Sequence, residues 1–306
     1  MPAFSTHYIF AKEMMPTVKE TADFEVNENA VFIGTQGPDI FFFHRNFPWQ
    51  RGKSKRAVGS AFHRAKFGNV LNDFRAYCET SEEAEIAKSY VLGFILHYAL
   101  DSTCHPYVYS IQDSMTSKYP SLNHHAAHNI IELSIDSVML HDYYCIRWPK
   151  KFETVNLFNF TDIEKAEIAR VFESAGAEIA PLKFSAHDAE VAIEDTKSVQ
   201  KTLYDPKNIK ENIIKPLETL AGPFTGNFRL SAFLRTDDLE NAQKYVNINH
   251  GVWASPYSGE KSSKSFYDLF DDAKEKATRM TAQYLASVDG YEITHNISFL
   301  TGVEVE

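Results

Sequence analysis

The sequence predicts an all-α fold, a single helical domain over residues 1–306. Three observations lead there. Apolar residues recur at the three- and four-residue spacing of helices along most of the chain, two Thr-x-x-Glu signatures mark helix starts, and no run alternates over enough strands to build a sheet.

The elements follow in order. Helical stretches are expected at about 9–22, 57–78, 122–146, 186–203, 209–221 and 263–287. Between the first two, Ala30-Val31-Phe32-Ile33 and Ile40-Phe41-Phe42-Phe43 read as short extended pieces on either side of Gly34-Thr35-Gln36-Gly37-Pro38-Asp39. Thr80-Ser81-Glu82-Glu83 reads as a capping box, the Thr80 hydroxyl accepting the Glu83 amide while the Glu83 carboxylate reaches back. The helix it opens runs through Ile86, Val91, Ile95 and Leu100 and should end near Pro106, which biases His105 away from helix. Thr161-Asp162-Ile163-Glu164 repeats the signature before a segment that stops near Gly176. In the last helix Phe266, Leu269, Phe270, Ala273, Ala277, Met280 and Tyr284 form a core-facing stripe. Asp205-Pro206, Gly222-Pro223-Phe224-Thr225-Gly226 and Ser255-Pro256-Tyr257-Ser258-Gly259 are turns or loops.

Composition narrows the function. With 44% hydrophobic and 24% charged residues the chain is neither disordered nor collagen-like. A net charge of −10 argues against a stable nucleic-acid complex, which needs clustered Lys and Arg against phosphate. Cys78, Cys104 and Cys145 carry no paired motif and read as free thiols of a reducing compartment. The start, Met1-Pro2-Ala3-Phe4, has neither a basic nor an apolar signal region, and no apolar run is long enough for a transmembrane segment. A cytoplasmic protein is expected.

The histidines carry the chemistry. Six of the twelve (His97, His105, His124, His125, His128, His141) fall between residues 97 and 141, where even spreading would put about two. His97, Asp101 and His105 stand at i, i+4 and i+8, so neighbouring members leave nearly the same face of a helix. His128 and Glu132 make a second i, i+4 pair, with Asp136 one turn further. One such pair is usually structural. Here, however, Asp101 follows the apolar run Val91-Leu92-Gly93-Phe94-Ile95-Leu96, and a lone buried carboxylate is costly. Imidazole nitrogen and carboxylate oxygen suit zinc, and a carboxylate can bridge two ions that imidazole cannot. Cys104, beside His105, is better explained as apolar filler, and His44 as a partly buried structural residue.

With these residues in view, the chain resembles the zinc-dependent phospholipase C family, whose members include the catalytic domain of clostridial alpha-toxin. The resemblance rests on Thr6-His7, Gly34-Thr35-Gln36-Gly37-Pro38-Asp39, His63, His97-Tyr98-Ala99-Leu100-Asp101, His105-Pro106-Tyr107, and His128 with Glu132. Beyond about residue 150 it rests on helical character and Asn249-His250-Gly251-Val252-Trp253. It implies an all-helical fold holding two or three Zn²⁺. One ion would take Asp39, His63, His97 and a bridging Asp101; a second would take His105, His128 and Glu132; a third would take His7 and the other oxygen of Asp101. Relatives complete that third site with an N-terminal tryptophan, where this chain has Met1-Pro2-Ala3. The resemblance also implies hydrolysis of a phosphoester, phospholipid included, by metal-activated water, with Asp39 as a candidate for handling protons. The toxins' C-terminal lipid-binding β-sandwich is not expected. A trizinc nuclease- or nucleotidase-like phosphoesterase and a non-catalytic metal-binding protein remain alternative readings.

Overall fold

A computed structural model describes residues 4–221 and 230–305; residues 1–3 and the expected loop at 222–226 lie outside the described residues. The fold is all-α. Among the described residues twelve α-helices follow one another: α1 (Phe4–Thr21), α2 (Glu28–Gly34), α3 (Arg56–Phe62), α4 (Phe67–Cys78), α5 (Ala84–Lys118), α6 (His124–Tyr144), α7 (Asp162–Glu173), α8 (Ala186–Leu203), α9 (Ile209–Ala221), α10 (Leu239–Ala242), α11 (Phe266–Leu285) and α12 (Gly290–Thr294). An antiparallel hairpin, β1 (Trp253–Ala254) with β2 (Lys261–Ser262), closes around the turn expected at Ser255–Gly259. Among the described residues no helix is long and apolar enough to cross a membrane.

Helix α5 is the axis of the molecule, packed against α2, α11, α6, α1 and α7. Every residue from Ser89 to Ser102 is buried, which a helix reaches only when neighbours cover all its faces. At its midpoint the Phe94 ring lies 5.5–6.0 Å from those of Phe62, Phe67, Phe74 and Phe172. Burying each such ring stabilises the fold by about 2–3 kcal/mol. Where α2 crosses α5, two glycines meet: a Cβ on Gly93 would lie 2.2 Å from the Val31 carbonyl oxygen, and one on Gly34 would lie 2.3 Å from that of Tyr90. Only glycine permits that approach.

Four local expectations differ from the structure. The Thr80 capping box does not form: Thr80 Oγ1 donates to the Tyr77 carbonyl, Glu83 N–H donates to Ser81 Oγ, and α5 begins at Ala84. Nor does α5 stop near Pro106; it continues to Lys118. Proline removes one helical bond at a solitary position, and the surrounding packing of α5 outweighs that loss. The extended pieces at 30–33 and 40–43 are helical instead, in α2 and in a 3-10 helix over Gly37–Phe43. Asn27 explains the first, since its side chain accepts the Ala30 N–H and starts α2. The helix expected at 57–78 is two helices, broken after Phe62, and the break places His63 at a helix end. The Thr161 box does form, and Ser185–Asp188 and Ser265–Asp268 repeat it with aspartate as the acid.

Candidate metal centre

The eight candidate ligands come from five elements of the chain. His7 is on α1, Asp39 in the 3-10 helix, and His63 at the end of α3. His97, Asp101 and His105 descend one face of α5, and His128 and Glu132 face them from α6. All eight are buried, none more than 7% exposed. Asp101 sits at the centre. Its Oδ1 is 3.2 Å from His7 Nε2, and its Oδ2 is 3.2 Å from His97 Nε2 and 3.7 Å from His63 Nε2. His63 Nε2 also lies 3.2 Å from Asp39 Oδ1. Ligand atoms of His7, Asp39, His97 and Asp101 all fall within 4.8 Å of one another, as do those of His105, His128 and Glu132. In the second group Glu132 Oε1 is 3.1 Å from His128 Nε2 and 3.5 Å from His105 Nε2. The two groups meet where His105 Nδ1 comes within 3.7 Å of Asp101 Oδ2.

Hydrogen bonding on the far side of the rings sets which nitrogen faces inward. His97 Nδ1 lies 3.0 Å from the Thr35 carbonyl, His63 Nδ1 2.7 Å from that of Gly59, and His105 Nδ1 2.7 Å from that of Phe299. A carbonyl can only accept, so each of these Nδ1 atoms carries the proton and donates. In a neutral ring Nε2 then presents a bare lone pair to the carboxylates. Lone pair against carboxylate oxygen is repulsive unless a proton or a cation lies between them. Consistent with that, His97 Nε2, Asp101 Oδ2 and Glu132 Oε2 are buried without a hydrogen-bond partner among the described residues. Unpaired buried polar atoms are rare in native proteins, and a borderline nitrogen–oxygen donor set of this kind fits zinc.

The electrostatics point the same way. Burial works to raise the Asp101 carboxyl, yet the imidazoles of His105, His97, His63 and His7 hold it well below its ordinary range. Glu132 and Asp39 are likewise held low against burial, chiefly by His128 and His63 respectively. Burial pushes His63 down, but Asp39 and Asp101 prevail and raise it to about 10. His128, by contrast, is lowered because burial dominates. The carboxylates are therefore fixed as anions, and the rings beside them are either lone-pair donors or protonated.

Several residues that position the site were not foreseen. Gln112 Oε1 lies 2.9 Å from His128 Nδ1 and does for α6 what backbone carbonyls do for the other rings. Its place seven residues after His105, on the same stripe of α5, was a usable signal. Gly37 has φ +49°, and a Cβ there would lie 2.4 Å from His97 Cδ2, so glycine is required for both backbone and ring. Asp136, noted only as one turn beyond Glu132, is fully buried and accepts the Ser5 and Thr6 N–H groups at 3.0 and 2.8 Å and the Thr6 hydroxyl at 2.7 Å. It thus ties the start of α1, and with it His7, to α6. Phe299, nearly two hundred residues from His105, gave no local signal.

The remaining nominees fall elsewhere. His44 is buried, and its Nδ1 accepts the Lys55 N–H at 3.1 Å, a structural role. Cys104 is buried in the core, where desolvation raises its thiol well above the usual range and keeps it protonated. His124 and His125 line the mouth of a cleft of about 380 Å³ that opens onto both ligand groups. His141 is half-buried and pairs with Asp142. Met1–Ala3, where the tryptophan of relatives would stand, lie outside the described residues.

No curated protein and no solved structure matches the chain. A family described as zinc dependent phospholipase C matches residues 6–185, more than half the chain and a span that holds all eight candidate ligands. The match, the helical fold and the buried histidine–carboxylate groups agree, and the chain belongs to the zinc-dependent phospholipase C family.

Proposed function

We propose that this chain is a zinc-dependent phosphodiester hydrolase of phospholipase C type, with His7, Asp39, His63, His97, Asp101, His105, His128 and Glu132 as its metal ligands. The observation that carries the reading is the pair of ligand groups joined at Asp101, with inward-facing nitrogen and oxygen atoms that have no other partner. Bound zinc would supply a water acidified towards neutrality and positive charge for the phosphate oxygens. The chain's own residues supply position. The Thr35, Gly59 and Phe299 carbonyls and the Gln112 amide oxygen hold four rings in one tautomer and one orientation, so no reorganisation is needed when substrate arrives. Asp101 balances charge for both groups at once. Asp39, at the cleft wall and 3.2 Å from His63 Nε2, is an anion at rest and would handle a proton only in passing, since a ligating carboxylate is a weak base. Phe42 and Tyr109 give the cleft apolar walls suited to the non-polar part of a phosphodiester.

The test is metal counting on purified protein together with turnover of bis(p-nitrophenyl) phosphate before and after chelation. Zinc at two or more ions per chain, and hydrolysis that disappears with chelator and returns with Zn²⁺, support the reading. Bound zinc without turnover of any phosphodiester would favour the non-catalytic alternative, and strong preference for nucleotides would favour the nuclease-like one.

A further inference from the structure

The cleft over the ligand groups has an uneven lining. Its acidic side chains are Asp39, Asp101 and Glu132, and all three already face imidazoles as candidate ligands. Among the described lining residues no other carboxylate is left to meet a substrate. The opposite charge is present: Arg64 lines the cleft, is exposed, and its guanidinium has no hydrogen-bond or ion-pair partner among the described residues. Arg56, Ser60 and Arg64 recur every four residues along α3 and the turn after it, so they share one side of that segment. Ser60 lines the cleft with Arg64. Arg56 opens α3 at the other end of that side. The result is a cationic margin on a chain of net charge −10.

A cationic head group would need a carboxylate or free aromatic faces. The cleft's aromatic rings are already engaged. Phe42 packs against His63 at 5.7 Å, and Tyr109 sits 5.7 Å from His105 and 5.1 Å from His128, with Tyr257 against it at 5.5 Å. Gln112 adds a further donor. Because its oxygen takes the His128 Nδ1–H, its amide nitrogen donates to His124 Nδ1 at 3.2 Å, which leaves Nε2 as the protonated nitrogen of His124.

Resting on the function proposed above, we infer that the cleft selects phosphodiesters whose head-group arm, the one that stays on the phosphoryl group when the glycerol oxygen leaves, bears a second anionic group, phosphate or carboxylate, seated on Arg64 with Arg56 further along the same side of the segment. Guanidinium offers paired donors to either anion, and the same margin repels a quaternary ammonium. The anion belongs to a lipid head group or to a soluble phosphoester.

The experiment compares kcat and KM of the zinc-loaded protein on short-chain phosphatidylinositol monophosphate, its deacylated soluble counterpart and short-chain phosphatidylcholine, with bis(p-nitrophenyl) phosphate as reference. Calorimetric titration with inositol bisphosphate and with phosphocholine reads binding without turnover. The phosphorylated inositol substrates are expected to have the higher kcat/KM. Arg64→Gln should raise their KM by about fivefold, the scale of an exposed charge pair, and lower the ratio of anionic to choline substrate. Arg56→Gln should do the same by about twofold, as a more distant charge, and Arg64→Lys should restore part of the Gln variant's loss. Inositol bisphosphate should bind more weakly to Arg64→Gln, and salt should narrow that gap. Faster turnover of the acylated member assigns the anion to a lipid head group, and faster turnover of the deacylated one to a soluble phosphoester; either supports the inference. Preference for phosphatidylcholine, or equal binding of inositol bisphosphate by wild type and the double Arg56→Gln, Arg64→Gln variant, overturns it. Failure to hydrolyse bis(p-nitrophenyl) phosphate with zinc bound overturns the proposed function instead, which keeps the two distinguishable.

Discussion

The two ligand groups are built in different ways. His105, His128 and Glu132 come from α5 and α6, successive helices joined through residues 119–123, and their geometry follows from an i, i+4 pair facing a helix neighbour. His7, Asp39, His97 and Asp101 come from α1, the 3-10 helix and α5. Their geometry depends on three separate dockings: Asp136 on the start of α1, Gly34 against α5 at Gly93, and Gly37 under the His97 ring. The local group should therefore tolerate disturbance elsewhere in the fold, whereas the distributed group should fail when any docking is disturbed. Asp101 is the exception, because it faces both.

Asp101→Asn should break the comparison altogether. The change keeps shape but removes the charge that four imidazoles share, so both groups should lose affinity. At least one ion per chain and more than about 100-fold of the phosphodiesterase activity should go, beyond the range of substitutions outside the ligand shell. Metal counting paired with turnover checks this, and wild-type values for both would remove Asp101 from its central role.

His7→Ala should separate the groups. The expected result is loss of one ion from the distributed group with the local group still filled, and in wild type the same ion should be the first released in a chelator titration. A variant that keeps the full complement, or ions released together at one chelator concentration, would show that the distributed group is not the weaker.

Gln112→Ala sharpens the comparison from the other side. It frees His128 Nδ1 and leaves the rings of the distributed group untouched, so zinc affinity should fall by about 10–100-fold in the local group alone. Competition with a calibrated chelator measures it. Equal weakening of both groups would mean that they form one cooperative unit.

The smallest effect is expected from Asp136→Asn. An amide cannot accept all three donors that Asp136 serves, and it leaves Arg235, whose Nη2 is 3.9 Å from the carboxylate, without its counter-charge. Urea unfolding should show a loss of about 2 kcal/mol, accompanied by weaker zinc only in the group that contains His7. Unchanged stability would mean that the start of α1 is held by something other than this carboxylate.

The sequence carried the fold class and much of the local geometry of the candidate site because both were written in short-range pattern. The stripe on α11, the Thr161 box and the 186–203 helix were legible within a few turns, and α8 has those bounds. His97, Asp101 and His105 shared a face by spacing alone, and burial of the apolar run before them made an unpaired Asp101 implausible before any coordinates. Where local signals met stronger tertiary packing they misled. Pro106 did not end α5, and the apolar segments at 30–33 and 40–43 became helical against it. An apolar run of four residues fits a buried helix as well as a strand, and only its neighbours decide.

What the sequence determined by itself was the inventory and its local geometry: which residues could bind metal, which of them share a helix face, and that the helix carrying three of them is apolar enough to be enclosed. Tertiary structure alone decided how those parts meet. It brought His7 and Asp39 to Asp101, chose Nε2 as the inward nitrogen of His63, His97 and His105 by placing the Gly59, Thr35 and Phe299 carbonyls behind them, and used Asp136 to anchor a helix 130 residues away. The physical reason is range. Periodicity and capping act within a turn or two of the chain, whereas ring orientation and charge pairing in a buried site are fixed by atoms that only folding brings within 3 Å.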